Sequence, residues 1–225
     1  TDHTLDRPCP CLDGRQGGWS CGVNASALPL DPGARIGPNA ITRVAESLRD
    51  RGGEPAALEV FRSAGLLGLL EQPPQHMVDE ADVLTLHLAL RAVLGAQAAS
   101  IVASDAGRRT GDYLLDHRIP RLAKVALEWL PAPLAARALL KAVGRHAWTF
   151  AGSGDFSVEF GSTLVLSIRH NPLCRGVTSQ APCCSFYAAT FERLFQALVH
   201  PMTSVREISC EACGAHACRF EVRWP

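Results

Sequence analysis

The residues best suited to bind a metal lie near the C-terminus, within residues 205–222, which read VREISCEACGAHACRFEV. Cys210, Cys213 and Cys218 follow one another at the spacing C-x2-C-x4-C, and His216 lies between the last two. Thiolates and imidazoles at such short spacings converge on a zinc ion when a tight turn reverses the backbone, as in a zinc knuckle. The spacing therefore predicts a metal site in a C-terminal hairpin.

The spacing leaves the fourth ligand of such a site open. A closed zinc site takes four protein ligands, and His216 or one of the adjacent pair Cys183 and Cys184 could supply the fourth. One alternative is that these cysteines are small apolar residues of the core, since free cysteine packs well there. Another is an iron–sulfur centre, although the spacing does not match a ferredoxin pattern. Three N-terminal cysteines could contribute to it: Cys9, Cys11 and Cys21.

Charge and composition limit the classes of function. The chain has 225 residues, with 22 basic and 22 acidic side chains, so no overall field favours nucleic acid. No uninterrupted apolar run reaches the ~18 residues of a membrane span, and the first residues lack the basic flank and apolar stretch of a secretory signal. We therefore expect a cytoplasmic protein without a transmembrane segment. In that compartment, nine cysteines indicate metal binding or catalysis rather than disulfides.

The elements that must position the cysteines follow from the apolar periodicity. Residues 1–35 show none and are predicted to form a flexible extension, followed by a domain over residues 36–225 whose metal-motif core is about 144–225. Helices are predicted over 39–52, 55–70, 79–115, 119–143 (broken at Pro131 and Pro133) and 184–199. Strands are predicted over 148–150, 156–160, 164–168, 205–209 and 218–224. The expected fold class is α+β, with N-terminal helices followed by a mixed antiparallel sheet and helix.

A motif in the same segment resembles the 4-vinyl reductase domain family. The motif is E-x2-C-x3-G-x3-C-x-F, and it runs through Glu207, Cys210, Gly214, Cys218 and Phe220. In that family a cysteine at the start of the preceding helix, then Glu, Cys and Cys, hold a zinc ion. The resemblance implies that the ligands here are Cys184, Glu207, Cys210 and Cys218. It also implies that Cys213 and His216 are not ligands, and that structural zinc pins the C-terminal hairpin to the preceding helix.

Four upstream segments resemble the bacteriochlorophyll-biosynthesis branch of the same family. They read ARIGPNAITRVAESL, RRTGDYLLDHRIP, HAWTFAGSGDF and HNPLCRG. The resemblance implies an α+β domain that forms homodimers and holds a small apolar molecule beside the zinc site. It further implies a divinyl magnesium tetrapyrrole as the ligand, protochlorophyllide or chlorophyllide, and a part in reducing its 8-vinyl group (4-vinyl in older nomenclature).

The residues themselves give little support for catalysis of that reduction. Reducing a vinyl group requires a hydride or electron donor, and the GSGD at residues 152–155 lacks the spacing of a dinucleotide-binding turn. Zinc has no redox chemistry, and four protein ligands leave no open position for substrate. A protein that presents the pigment to a separate reductase is therefore favoured. The alternatives are the reductase itself and a small-molecule sensor domain.

Six residues are candidate contacts for the pigment. Arginine could meet a propionate carboxylate, a neutral imidazole could ligate magnesium, and aromatic rings could line an apolar pocket. The candidates are His146, Trp148, Phe150, Arg169, His170 and Arg175. For each of them a place on the surface or in the core is the simpler alternative.

Overall fold

The computed structural model describes residues 22–23 and 33–225. The extension predicted over residues 1–35 lies outside these residues except for 22–23 and 33–35. Cys9, Cys11 and Cys21 lie outside them as well, so the predictions about these three thiols stay predictions.

The first half of the described chain is helical, as the apolar periodicity predicts. Its helices are α1 (Asn39–Ser63), α2 (Leu67–Glu71), α3 (Glu80–His117), α4 (Arg121–Glu128), α5 (Ala132–Arg145) and α6 (Trp148–Ala151). Two predicted helices, 39–52 and 55–70, join into α1, which is kinked at Gly53, where φ is 72°. A second kink, at Gly95 with φ of 77°, divides α3. Glycine tolerates these dihedral angles because it lacks a Cβ.

The second half carries an antiparallel sheet and one further helix. The strands are β4 (Asp155–Phe160), β5 (Leu164–Arg169), β7 (Ser204–Ser209) and β8 (Cys218–Arg223), in the spatial order β4-β5-β8-β7. The helix is α7 (Ser185–Leu198). Two-residue strands form two further pairs: β1 (Gly22–Val23) with β6 (Val177–Thr178), and β2 (Arg35–Ile36) with β3 (Val78–Asp79). The α+β class is confirmed.

Helix α3 is the central helix, because it packs against both α1 and α7. Within the described part of the chain it is the one helix long and apolar enough to cross a membrane, a test that the core helix of a globular protein also passes. Three of its polar side chains, Glu80, His87 and Arg91, are buried inside the protein.

An aromatic cluster joins α7 to the sheet. Phe191 of α7 lies 5.6 Å from Phe220 of β8 and 5.9 Å from Phe150, measured between ring centroids. Tyr187 donates its hydroxyl hydrogen to the Phe150 carbonyl over 2.6 Å. The alternation of β8 supplies Phe220 to this face, because Cys218 and Val222 are buried beside it while Arg223 points to solvent.

The strand predicted over residues 148–150 is wrong, because these residues form the short helix α6. The backbone N–H of Thr149 donates to the His146 carbonyl, and that of Phe150 to the Ala147 carbonyl, which closes a helical turn. Aromatic residues favour strands only when neighbouring strands pack against them. Here Phe150 packs between α7 and Phe156 of β4, so tertiary contacts override the local preference.

Candidate metal centre

Four buried cysteine side chains meet at the junction of the sheet and α7. Cys174 lies in the loop between β5 and β6, and Cys184 immediately precedes α7. Cys210 follows β7, and Cys218 begins β8. Their Sγ atoms all lie within 4.8 Å of one another. Four separate segments therefore bring one thiol each to a single point.

The distances between sulfur atoms fit a tetrahedral metal site. The Sγ of Cys218 lies 3.7 Å from that of Cys184 and 3.8 Å from that of Cys210, and Cys184 and Cys210 are 3.9 Å apart. Cys174 lies 3.5 Å from Cys218. A tetrahedron with metal–sulfur bonds of ~2.3 Å has edges of roughly 3.8 Å. The cluster can thus accept a zinc-sized ion with little movement.

The electrostatics of the cluster favour a bound cation. Hydrogen bonds among the thiols, with Cys174 the leading partner, lower the pKa of Cys210 and Cys218 and raise the pKa of Cys184. Protons are therefore shared within the cluster, since four buried thiolates this close repel one another strongly. A divalent cation would allow all of the ligating thiols to ionise.

Two N–H groups donate to the sulfurs from outside the cluster. Asn171 is fully buried, and its Nδ2 lies 3.3 Å from the Sγ of Cys184. The backbone nitrogen of Glu211 lies 3.4 Å from the Sγ of Cys218. Such contacts orient thiolate ligands and stabilise their charge. They give the cluster an outer shell that suits a metal site.

A tight turn brings Cys210 and Cys218 together. The backbone N–H groups of Cys213 and Ala215 both donate to the Cys210 carbonyl, over 2.9 Å and 3.2 Å. Gly214 has φ of 87°, a left-handed conformation that residues with a Cβ rarely adopt. The turn thus follows the hairpin geometry that the cysteine spacing indicates.

Glu207 extends toward the same cluster from β7. Its Oε2 accepts a hydrogen bond from the Cys184 backbone N–H over 2.8 Å. Its Oε1 is buried and has no hydrogen-bond partner among the residues that the structure describes. Burial raises the pKa of Glu207 well above its usual range, and the charges of Cys210 and Cys218 raise it further. A buried carboxylate oxygen without a donor is what a metal ligand looks like before the metal is considered.

Sequence reasoning missed Cys174. This residue lies ten positions before Cys184, inside the HNPLCRG segment, and neither cysteine spacing nor the family motif includes it. The one available signal is that all six cysteines after residue 173 fall in the half that carries the cluster. Cys213, by contrast, is half-buried and is not one of the four converging thiols. Cys183 approaches from the side, with its Sγ 3.9 Å from that of Cys210.

A cavity of about 280 Å³ lies beside Cys174. His170, Arg175, Glu211 and His216 contribute to its lining. The Arg175 side chain is almost buried, and its Nη1 lies 2.7 Å from Oε1 of the fully buried Glu80. Two of the six candidate pigment contacts, His170 and Arg175, therefore share one cavity, but the guanidinium is already held by a carboxylate.

The other four candidate pigment contacts have different surroundings. His146 is exposed where α5 ends, and Trp148 is exposed on α6. Phe150 is half-buried in the aromatic cluster. Arg169 is exposed and forms an ion pair with Asp155 at 3.0 Å.

Comparison with known proteins gives two similar sequences. The chain is 45% identical over 188 residues to the bacteriochlorophyll synthase 23 kDa chain of Cereibacter sphaeroides, a match that covers 84% of this chain and 90% of that protein. It is 41% identical over 196 residues to the Rhodobacter capsulatus protein of the same name, covering 87% of this chain and 90% of the other.

Two further comparisons concern the domain and the fold. The 4-vinyl reductase domain matches residues 164–224, which include Cys184, Glu207, Cys210 and Cys218. The Fe(II) unliganded H-NOX protein from K. algicida superposes with a TM-score of 0.50 at 12% identity, covering 84% of this chain and 96% of that one. At this identity the likeness shows a related fold alone. The sequence relationships are closer, and by them this chain belongs to the 4-vinyl reductase domain family, in the bacteriochlorophyll-pathway branch that includes these 23 kDa chains.

Proposed function

We propose that this chain binds a divinyl magnesium tetrapyrrole, protochlorophyllide or chlorophyllide, and assists the reduction of its 8-vinyl group. The observation that carries this proposal is the 45% identity to a bacteriochlorophyll synthase 23 kDa chain over 84% of the sequence. A protein of this domain family associated with bacteriochlorophyll biosynthesis must act on, carry or sense a pigment intermediate, and the 8-vinyl group is the target that the resemblance implies. The pigment would be handed to a separate reductase.

The metal has a structural part in this proposal. Cys184, Glu207, Cys210 and Cys218 would hold a zinc ion, with the Cys174 thiol beside them. The ion would link the β7–β8 hairpin to the start of α7, and thereby fix the wall of the cavity that contains His170. Because protein ligands would fill its coordination positions, zinc would not polarise the substrate.

The cavity beside Cys174 is the proposed edge of the pigment site. Its volume of about 280 Å³ is smaller than the ~300–1,000 Å³ of most small-molecule sites, so it would take an edge of the macrocycle rather than the whole. His170 is the proposed magnesium ligand, because its side chain is 48% exposed and lines this cavity. Arg175 is proposed to orient His170, since its Nη2 donates to the His170 carbonyl over 2.5 Å.

The remaining parts of the sequence-based hypothesis stay predictions. His146, Trp148, Phe150 and Arg169 are proposed as outer contacts of the pigment. A homodimer, a cytoplasmic location and a separate reductase as partner are also proposed.

The test is a titration of the purified protein with divinyl protochlorophyllide, with and without NADPH. We expect a saturable shift in pigment absorption and no 8-ethyl product by chromatography. His170→Gln should weaken binding by roughly tenfold, the equivalent of 1.4 kcal/mol, whereas the exposed His76 can be changed to Gln as a control without effect. The absence of any shift would overturn pigment binding. Ethyl product formed by the protein and NADPH alone would instead identify the chain as the reductase.

A further inference from the structure

Helix α4 leaves an apolar face in contact with solvent. Leu122 and Trp129 are each 85% exposed, and Val125 is 50% exposed. These positions are three, four and seven residues apart, so they share one side of the helix. None of the α4 residues, all of which the structure describes, is buried. The outer face of α4 is therefore apolar and uncovered.

The exposed face continues into α5, while the opposite side of the hairpin is attached to the core. Leu130 and Leu134, which connect and begin the second helix, are 39% and 48% exposed. On the inner side Leu127 packs against the core, and Leu139 and Leu140 are buried. The two helices thus form a firmly held platform whose exposed side chains are not needed for folding.

Basic residues surround this platform. Residues 118–145 contain six basic side chains and one acidic side chain, Glu128, although the whole chain has a net charge of zero. The basic residues are Arg118, Arg121, Lys124, Arg137, Lys141 and Arg145, and all but Lys124 are exposed. The excess positive charge is therefore concentrated in the segment that carries the apolar face.

We propose that the α4–α5 hairpin, residues 118–145, lies on the surface of an anionic lipid bilayer. Exposed Leu and Trp side chains on one helix face, flanked by Lys and Arg, are the features of helices that lie in the membrane interface. Tryptophan is favoured at the boundary between headgroups and acyl chains, and each nearby basic residue adds attraction to anionic lipid. The hairpin rests on the membrane and does not span it.

Charge argues for lipid over a second copy of the chain. A twofold dimer through this face would bring the same basic residues of both copies together. Like charges at that distance oppose association, whereas anionic headgroups neutralise them. The proposal rests on exposed side chains and does not depend on pigment binding.

The experiment is flotation of the full-length protein with vesicles of phosphatidylcholine containing about 30% phosphatidylglycerol, as a chosen composition, and with pure phosphatidylcholine. We expect binding to the anionic vesicles, weaker binding to the neutral ones, and loss of binding at high salt. The double substitution Leu122→Glu and Trp129→Glu should weaken binding by at least roughly tenfold.

Ile101→Glu is the matched control. Ile101 is another exposed apolar residue, 47% accessible, and lies on α3 about 24 Å before its last residue at 1.5 Å per position. This variant should bind the anionic vesicles as the unchanged protein does. Circular dichroism and thermal unfolding should show all variants folded. The proposal is overturned if the unchanged protein fails to float with anionic vesicles, or if Ile101→Glu loses as much binding as the double variant. A dimer in solution that the double variant abolishes, without vesicle binding, would assign the face to a second copy.

Discussion

Glu80 and Glu207 are two buried carboxylates whose surroundings differ. The Oε1 of Glu80 lies 2.7 Å from the Arg175 guanidinium and 2.7 Å from the Ser153 hydroxyl. Its Oε2 accepts from the Ser153 backbone N–H over 2.8 Å. Glu207 accepts one N–H, from Cys184, and within the described chain its Oε1 accepts none.

The difference shows what each carboxylate requires. Arg175 and Ser153 satisfy Glu80 completely, so this carboxylate forms a closed ion pair that joins α3 to the cavity loop. Glu207 faces four thiols, which raise its pKa instead of compensating its charge. A cation at the cluster would satisfy both the thiols and the free oxygen. Glu207 is therefore the carboxylate expected to respond to metal, and Glu80 is the one expected to respond to loss of its arginine.

The largest effect is expected from Cys184→Ser. This change removes a thiol at the centre of the cluster, and metal binding contributes on the order of 10 kcal/mol to the folding of small zinc domains. We expect metal content, measured by mass spectrometry on the purified protein, to fall to background and the unfolding temperature to fall with it. Cys213→Ser is the control and should keep its metal, because Cys213 is outside the converging group. The reverse result would restore the zinc-knuckle hypothesis that includes Cys213.

Removing the partner of Glu80 should affect stability without affecting metal. Arg175→Met leaves a fully buried carboxylate without a cation, and breaking a buried pair in this way costs ~3–5 kcal/mol. Urea unfolding should show this loss while the metal content is unchanged. Arg169→Met breaks the exposed pair with Asp155 and should cost less than about 1 kcal/mol. Equal losses in the two variants would contradict the closed ion pair.

Two substitutions compare the donors that compete for the fourth position. Glu207→Gln keeps an acceptor for the Cys184 N–H but removes the negative charge, and we expect metal affinity in a chelator competition to fall by at least roughly tenfold. Cys174→Ser should weaken binding less, since the proposed ligand set is complete without it. Loss of metal from Cys174→Ser together with retention in Glu207→Gln would assign four thiolates to the site.

His87 provides a smaller, pH-dependent test of the same contrast. Like Glu207, it has a buried atom, Nε2, without a partner in the described chain. Burial, followed by the nearby Arg91 charge, lowers its pKa from 6.5 to about 3. The unfolded chain therefore takes up a proton at a higher pH than the folded protein does, so stability falls as the pH drops from about 6.5 toward 3.

The expected contribution of His87 is about 2 kcal/mol lost between about pH 7 and pH 5. Urea unfolding at both pH values should show this loss, and His87→Leu should reduce it by that amount because leucine does not titrate. An unchanged pH dependence in His87→Leu would show that His87 is not held neutral inside the protein.

The elements around the cysteine cluster could be predicted from the sequence because their patterns are local. Alternation in β8 places Cys218, Phe220 and Val222 on one face, and the apolar spacing of α7 is helical along its whole length. The short pairs β1–β6 and β2–β3 could not be predicted, since each consists of two residues whose partners are distant in sequence. The strand prediction at Trp148 is wrong because the conformation there depends on packing against α7.

The candidate site could be predicted only in part for the same reason. Cys210 and Cys218 are joined by one turn, and the family motif adds Cys184 and Glu207. Cys174 comes from a separate loop, and the pairing of Glu80 with Arg175 connects residues 95 positions apart. Contacts of this kind depend on the three-dimensional fold and leave no spacing to read in the sequence.

X-ray absorption at the metal edge tests the contrast between the two carboxylates most directly. On the purified, unchanged protein we predict a zinc spectrum that fits three sulfur ligands at ~2.3 Å and one oxygen ligand at ~2.0–2.2 Å. The oxygen contribution should disappear in Glu207→Gln and remain in Arg175→Met. A spectrum with four sulfurs and no oxygen, or a protein that binds no metal, would contradict the claim that Glu207 completes a metal site.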